Sequence, residues 1–295
     1  MNQPLVIEEV PVPVPEGRQL LVRVKAASLC HSDLMLIDGG LPDAFPLIIG
    51  HEAVSIVEKL GPEAETYGIR PGDLIGAPLW ENSCLECYDC RSHGSQFCAK
   101  LTCKGVNTPG YFSEYTLVDA ASAVVIDVSG ARTNVNATHL SPLFCAGSTV
   151  WDALERAKPI ASDTFAVIGA GGLGTIAVQY LKTMGIKVLA LDIRDEQLQA
   201  LQDLQIVNGI LNINKLSNED LVAKVLALND GQPVDHVLVT SGVVPAYLSA
   251  FPILKPEGQV IAVGLPSEPI PMHATFITHR CTKWVVPPVA VPQPC

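Results

Sequence analysis

Thr164-Phe165-Ala166-Val167-Ile168 runs straight into Gly169-Ala170-Gly171-Gly172-Leu173-Gly174, and that junction leaves the chain few folds to choose from. A short apolar run meeting a G-x-G-x-x-G turn, then an amphipathic stretch to about Met184, predicts strand, tight turn and helix, the opening unit of a parallel sheet. Gly169 permits the turn, Gly171 lets backbone approach a pyrophosphate, and Gly174 allows the helix to pack on the strand. The helix N-terminus then faces phosphate. The next strand, Val188–Leu191, ends at Asp192, placed to accept hydrogen bonds from an adenosine ribose. A carboxylate there repels a 2′-phosphate and favours NAD over NADP, whereas Arg194 could attract one. Gly172, Leu173 and Arg194 complete the local cofactor-binding set.

The rhythm differs on the two sides of Lys158. Before it, Gln19–Ala27 alternates apolar and polar residues, IIGHEAVSIVEKLG follows, and Pro71–Leu79 carries Pro/Gly punctuation, a β-rich pattern. After it, strands and helices alternate, with further strand candidates in VDHVLVTSG and GQVIAVGLP. The expected organisation is a β-rich domain over 1–155, a doubly wound parallel-sheet domain over 156–286 and an irregular tail over 287–295. The closing run WVVPPVAVPQPC fits neither a parallel strand nor a helix. A net charge of −11 is the wrong sign for a nucleic-acid partner. No apolar run reaches the ~18–20 residues of a membrane span, and the start lacks an export signal, so a cytoplasmic location is expected.

Nine cysteines in such a chain point first to metal. Cys84, Cys87, Cys90 and Cys98 lie within one short loop, and four thiolates suit a closed tetrahedral zinc site, with an iron–sulfur centre as the rival. Acidic flanks at Glu81, Glu86 and Asp89 oppose a zinc ribbon for DNA. Cys30, His51 and Cys145 are dispersed, and spacing alone does not join them. Cys103, Cys281 and Cys295 receive no role.

At Cys30-His31-Ser32-Asp33, Gly50-His51-Glu52, the four-cysteine loop, Phe144-Cys145-Ala146-Gly147 and the glycine turn, in that order, the chain resembles the zinc-dependent alcohol dehydrogenases of the medium-chain dehydrogenase/reductase family. The resemblance implies a GroES-like catalytic domain followed by a Rossmann coenzyme domain. It implies that Cys30, His51 and Cys145 bind a catalytic zinc with one position open, the arrangement known for alcohol dehydrogenases, and that the loop cysteines hold a structural zinc, two per chain. It also implies that Asp33 orients His51, that Glu52 stands close behind the metal, that Ser32 takes the alcohol proton, and that His31 lies near the pyrophosphate. Trp80 and Trp151 fall where a substrate pocket is lined; Thr149 and Val263 join the cofactor contacts. The implied reaction moves hydride between a primary or secondary alcohol, or the matching aldehyde or ketone, and NAD. Zinc lowers the pKa of bound water from about 15.7 to about 7, roughly 12 kcal/mol.

Met35 stands where many relatives carry a relay histidine, and Ser55 where a glycine is usual, tolerable if its φ stays negative. Against the family pattern the catalytic domain is expected to lack elements at both ends, so the alternative is a shortened zinc- and nucleotide-binding protein with little or no activity. A zinc-free quinone-reductase-like relative is opposed by the full ligand set. By resemblance the expected partners are a small-molecule substrate and a second copy of the chain, in a dimer or tetramer.

Overall fold

Alternation in QLLVRVKAA produces the first strand, β1 (Gln19–Ala27), with Leu20 and Val22 fully buried. The computed structural model describes residues 5–39, 46–128, 135–272 and 282–285. They fall into two units that divide between Ser148 and Thr149.

In the first unit β1 pairs antiparallel with β2 (Ala53–Leu60), and the remaining strands of that sheet are β3 (Leu74–Ala77), β6 (Tyr115–Asp119) and β7 (Val124–Val125), in the order β6-β1-β2-β3-β7. A separate two-stranded ladder joins β4 (Trp80–Glu81) to β5 (Thr102–Cys103) at the neck of the four-cysteine loop. Helices are short: α1 (His31–Ile37), α2 (Tyr88–Ser92) and α3 (Ala137–Leu140). Leu20, Val22, Val57, Ile75, Tyr111 and Val118 form the core, and each large apolar side chain so buried contributes roughly 1.5–3 kcal/mol. Ser55 lies inside β2 and is not among the residues with positive φ, so the strand accepts it in place of glycine.

The second unit contains most of α4 (Ala146–Ala157), then β8 (Thr164–Ile168), α5 (Gly172–Thr183), β9 (Lys187–Asp192), α6 (Asp195–Asp203), β10 (Gly209–Asn212), α7 (Asn218–Leu228), β11 (Val234–Val239), α8 (Val244–Ile253), β12 (Leu254–Ala262) and β13 (Lys283–Val285). All six strands are parallel, in the order β10-β9-β8-β11-β12-β13. Strand alternation sends Phe165, Val167, Val188, Ala190, Leu238 and Ile261 to the face covered by α4, α5 and α6. Ala166, Ile168, Leu189, Leu191, Val237 and Val260 go to the face covered by α7 and α8. A sheet buried on both faces is what continuous apolar runs such as TFAVI require. The order in which strands are added reverses between β8 and β11, the switch point at whose carboxyl end such sheets hold ligands. The second unit is a Rossmann sheet and the first a GroES-like β-rich unit.

One reading of the tail is corrected. Trp284 and Val285, taken as part of an irregular proline-rich run, form β13 in register with Val260 and Ile261, and the Trp284 ring stacks on Tyr247 at 6.2 Å between centroids. Apolar burial wins over the nearby prolines because those prolines begin at Pro287, beyond the strand. The proposed tail at 287–295 lies outside the described residues, as do Cys281 and Cys295. Among the described residues no helix is long and apolar enough to cross a membrane.

Candidate metal and nucleotide sites

Register brings two of the dispersed residues together. β1 and β2 pair as far as Ala27 opposite Ala53, so the chain leaving β1 toward Cys30 runs beside the chain entering β2 from His51. The Ser28 amide donates to the Glu52 carbonyl at 3.1 Å and extends that pairing. Cys145 arrives from a third direction. The turn before it seats the Phe144 ring over Gly76 of β3, where a Cβ would lie 1.7 Å from the ring, and the Ser28 hydroxyl donates to that of Ser141 at 2.6 Å.

The ligand atoms of Cys30, His51 and Cys145 all lie within 4.8 Å of one another. The two sulfurs are 3.9 Å apart, the separation of about 3.8 Å expected for sulfurs each ~2.3 Å from one tetrahedral zinc. His51 is buried; its Nδ1 meets Asp33 Oδ1 at 2.9 Å, while its Nε2 has no hydrogen-bond partner. A buried nitrogen left without a partner beside two sulfurs is costly unless something else takes its lone pair, and a zinc ion fits that need. The other Asp33 oxygen accepts from the Cys30 amide at 2.9 Å, so one carboxylate holds both the start of α1 and the imidazole.

Electrostatics follow this geometry. A hydrogen bond from Cys145, with further help from His51, brings Cys30 down to about 4, while the same hydrogen bond and burial push Cys145 well up. Burial alone would lower His51, but Asp33 and Cys30 outweigh it and raise the ring, so that Nε2 carries a proton until a cation displaces it. Desolvation, then the Cys30 charge, lifts buried Glu52 to about 7, and Glu52 Oε2 has no partner. His31 is exposed in the first turn of α1, and the Ser32 hydroxyl lies 4.0 Å from Cys30 Sγ.

Cys84, Cys87, Cys90 and Cys98 likewise place their sulfurs within 4.8 Å of one another. Cys84 is 3.9 Å from Cys90 and 3.6 Å from Cys98. Amides of Cys84 and Lys100 donate to Cys98 Sγ, and that of Cys90 to Cys87 Sγ, the support a thiolate set needs. Backbone donors at Glu86 and Cys87 draw Cys84 down to about 6. Nearby Cys103 belongs to neither group; it is 3% exposed, and burial followed by the Glu81 charge lifts it to about 11. Buried and pushed up in this way, Cys103 stays a thiol at pH 8, whereas the thiolate is the nucleophile. Iodoacetamide mapped by peptide analysis at that pH should therefore leave Cys103 unmodified in the native protein and alkylate it after denaturation.

In the second unit the glycine turn closes β8 against α5. A Cβ on Gly174 would lie 1.8 Å from the Gly169 carbonyl oxygen, which makes this close approach specific to glycine. Ideal Cβ atoms on Gly171 and Gly172 meet nothing within 4 Å, leaving open space at the N-terminus of α5 where a pyrophosphate fits. Leu173 packs against the core, and Val263 is buried, its amide donating to the Val239 carbonyl. Asp192 is buried and accepts from the Ala170 amide at 2.6 Å and the Arg194 amide at 2.9 Å, with Arg194 Nε 3.6 Å away. Each carboxylate oxygen keeps a second lone pair for a ribose. Thr240, which no sequence pattern singles out, donates to the Gly169 carbonyl at 2.7 Å and braces the turn. Thr149 is half-buried in α4, Trp80 is half-buried in β4, and Trp151 is exposed with its ring edge-on to Tyr180.

Residues 16–128 match the model of the alcohol dehydrogenase GroES-like domain, and residues 172–285 match that of the zinc-binding dehydrogenases. The NAD-dependent alcohol dehydrogenase of Sulfurisphaera tokodaii is 31% identical, over 97% of this chain and 82% of its own length. The chain belongs to the zinc-dependent alcohol dehydrogenase family. An alcohol dehydrogenase of Geobacillus stearothermophilus is 33% identical over 92% of this chain and 77% of its own. Among solved members, the alcohol dehydrogenase of the archaeon Aeropyrum pernix superposes with a TM-score of 0.85 at 27% identity, covering 99% of this chain and 84% of that one.

Proposed function

We propose that this family member is an NAD-dependent alcohol dehydrogenase that moves hydride between a primary or secondary alcohol, or the corresponding aldehyde or ketone, and NAD, with two zinc ions per chain. The observation that carries the reading is the buried, unpartnered Nε2 of His51 facing the sulfurs of Cys30 and Cys145. Those three residues would hold the catalytic ion, and Cys84, Cys87, Cys90 and Cys98 the structural one. A zinc ion in the first site supplies Lewis acidity, which makes an alcohol hydroxyl acidic enough to lose its proton near neutral pH.

The protein's own groups do the rest. Asp33 Oδ1 accepts the Nδ1 proton of His51, which leaves Nε2 as the donor atom and fixes the ring plane. The Ser32 hydroxyl, at the start of α1, takes the substrate's proton and passes it on. Met35, one turn further, has no atom that can carry a proton, so the onward route runs through exposed His31 or water. Gly169–Gly174 and the N-terminus of α5 bind the dinucleotide phosphates, and Asp192 accepts from the adenosine ribose. The buried Asp192 charge disfavours a 2′-phosphate more than half-paired Arg194 favours it, so NAD is the preferred cofactor.

The test combines metal analysis with turnover. Purified protein should contain two zinc ions per chain, and mixing with NAD and a panel of short primary and secondary alcohols should generate absorbance at the NADH wavelength. Zinc present with no NADH formed from any alcohol, even in a single turnover, would sink this assignment.

A further inference from the structure

The neck of the four-cysteine loop contains a buried ion pair that neither metal centre uses. Lys104, the residue after β5, is 2% exposed, and Glu81 of β4 is 5% exposed. Lys104 Nζ donates to the Leu117 carbonyl of β6, lies 3.8 Å from Glu81 Oε1 and sits 5.4 Å from the centroid of the Tyr111 ring. Its own amide donates to the Leu79 carbonyl at 2.8 Å. One ammonium group thus ties β4, β6 and the segment after β5 together. An ammonium buried this deeply is tolerated only with such partners. Burial lowers the Lys104 pKa against the pull of Glu81, and raises that of Glu81 against the pull of Lys104.

The segment that Lys104 starts lies directly on the backbone that presents His51. The Gly110 amide donates to the Ile48 carbonyl at 2.6 Å, Tyr111 to Gly50 at 2.9 Å and Phe112 to Ile49 at 3.0 Å. At Gly105 an added Cβ would be 2.4 Å from the Gly50 carbonyl oxygen, so the two backbones touch with no side chain between them. His51 follows at once.

We propose that Lys104 is a positioning residue: by gripping Glu81, the Leu117 carbonyl and the Tyr111 ring, it presses residues 104–112 onto residues 48–50 and so sets the place of His51, linking the neck of one cysteine site to the histidine of the other. The role rests on reading Cys30, His51 and Cys145 as the catalytic metal site. A remote charge acts on the ligand here through backbone contact, with no shared side chain.

Native-state amide exchange on the full chain, purified with its metal, tests the link. Lys104→Met should speed exchange at Tyr111 and Phe112 by about tenfold or more, with β8 and β9 of the second unit unchanged. A simple penalty for stranding the Glu81 charge predicts something else, namely that adding Glu81→Gln restores every amide. Under the positioning role the double variant regains a stable neck at β4 and β5 but keeps fast exchange at Tyr111 and Phe112. The double variant strands no charge, so it serves also if Lys104→Met alone is insoluble. Slow exchange at these two amides in the double variant would overturn the proposal. Cobalt(II) substitution gives the second readout: the visible band of the two-sulfur, one-imidazole site should shift in the double variant while that of the four-sulfur site stays. Absence of the first band from the cobalt-loaded wild-type protein would count against the metal-site reading itself, whereas the exchange pattern judges Lys104 separately.

Discussion

Cys30→Ser is expected to remove alcohol oxidation while leaving the chain folded. Cys30 contributes one of the two sulfurs of the three-residue site, 3.9 Å from that of Cys145, and its neighbours hold its thiol below the usual range. A serine hydroxyl stays protonated in the same place and is a poor soft ligand. The fold should survive because the interaction that starts α1 is the Cys30 backbone amide on Asp33, which the substitution leaves alone. We expect kcat to fall by at least about a thousandfold, equivalent to about 4 kcal/mol in the barrier. Zinc should drop from two to one per chain with an unchanged far-ultraviolet circular dichroism spectrum. Two zinc ions and normal turnover in this variant would remove Cys30 from the site.

Cys84→Ser should do the opposite, damaging the fold first. From Cys84 to Phe97 no residue is buried, so this loop has no apolar core to hold it. If the loop holds the structural zinc proposed above, its order depends on four sulfurs meeting one ion, and structural zinc of this type contributes about 10–16 kcal/mol of apparent binding energy in isolated peptides. Removing one ligand leaves exposed Leu85, Tyr88 and Phe97 on an unanchored loop, which favours aggregation. The expected outcome is insoluble protein, or a soluble fraction whose first unit melts about 10 °C lower or more. Differential scanning calorimetry of that fraction decides: an unaltered first transition with full zinc content would show that the loop stands without its metal.

The two halves of the molecule were not equally legible. The parallel sheet could be read from residues because TFAVI and KVLALD are apolar throughout and a sheet buried on both faces needs such runs, while the glycine turn fixes where β8 ends. Asp192 could be placed at the end of β9 for the same reason. β13 could not: three residues give no periodicity, and the valines and prolines around Trp284 suggest an irregular tail. Helix α1 was hidden because it begins inside the Cys30–Asp33 motif and runs only to Ile37. The meeting of Cys30, His51 and Cys145 depends on the Ala27–Ala53 register and on Phe144 seating over Gly76, long-range facts that spacing does not encode. Lys104 was invisible for a related reason, since a lysine in a loop reads as solvated until a fold buries it. In sequence, Glu81 reads only as an acidic flank of the cysteine loop.

Asp33 shows how compactly the first centre is wired. Because its two oxygens serve a helix start and an imidazole at once, fraying of a single turn and misalignment of the ring are the same event. Warming should therefore silence this protein at the scale of a few residues, well below the temperature at which its sheets come apart.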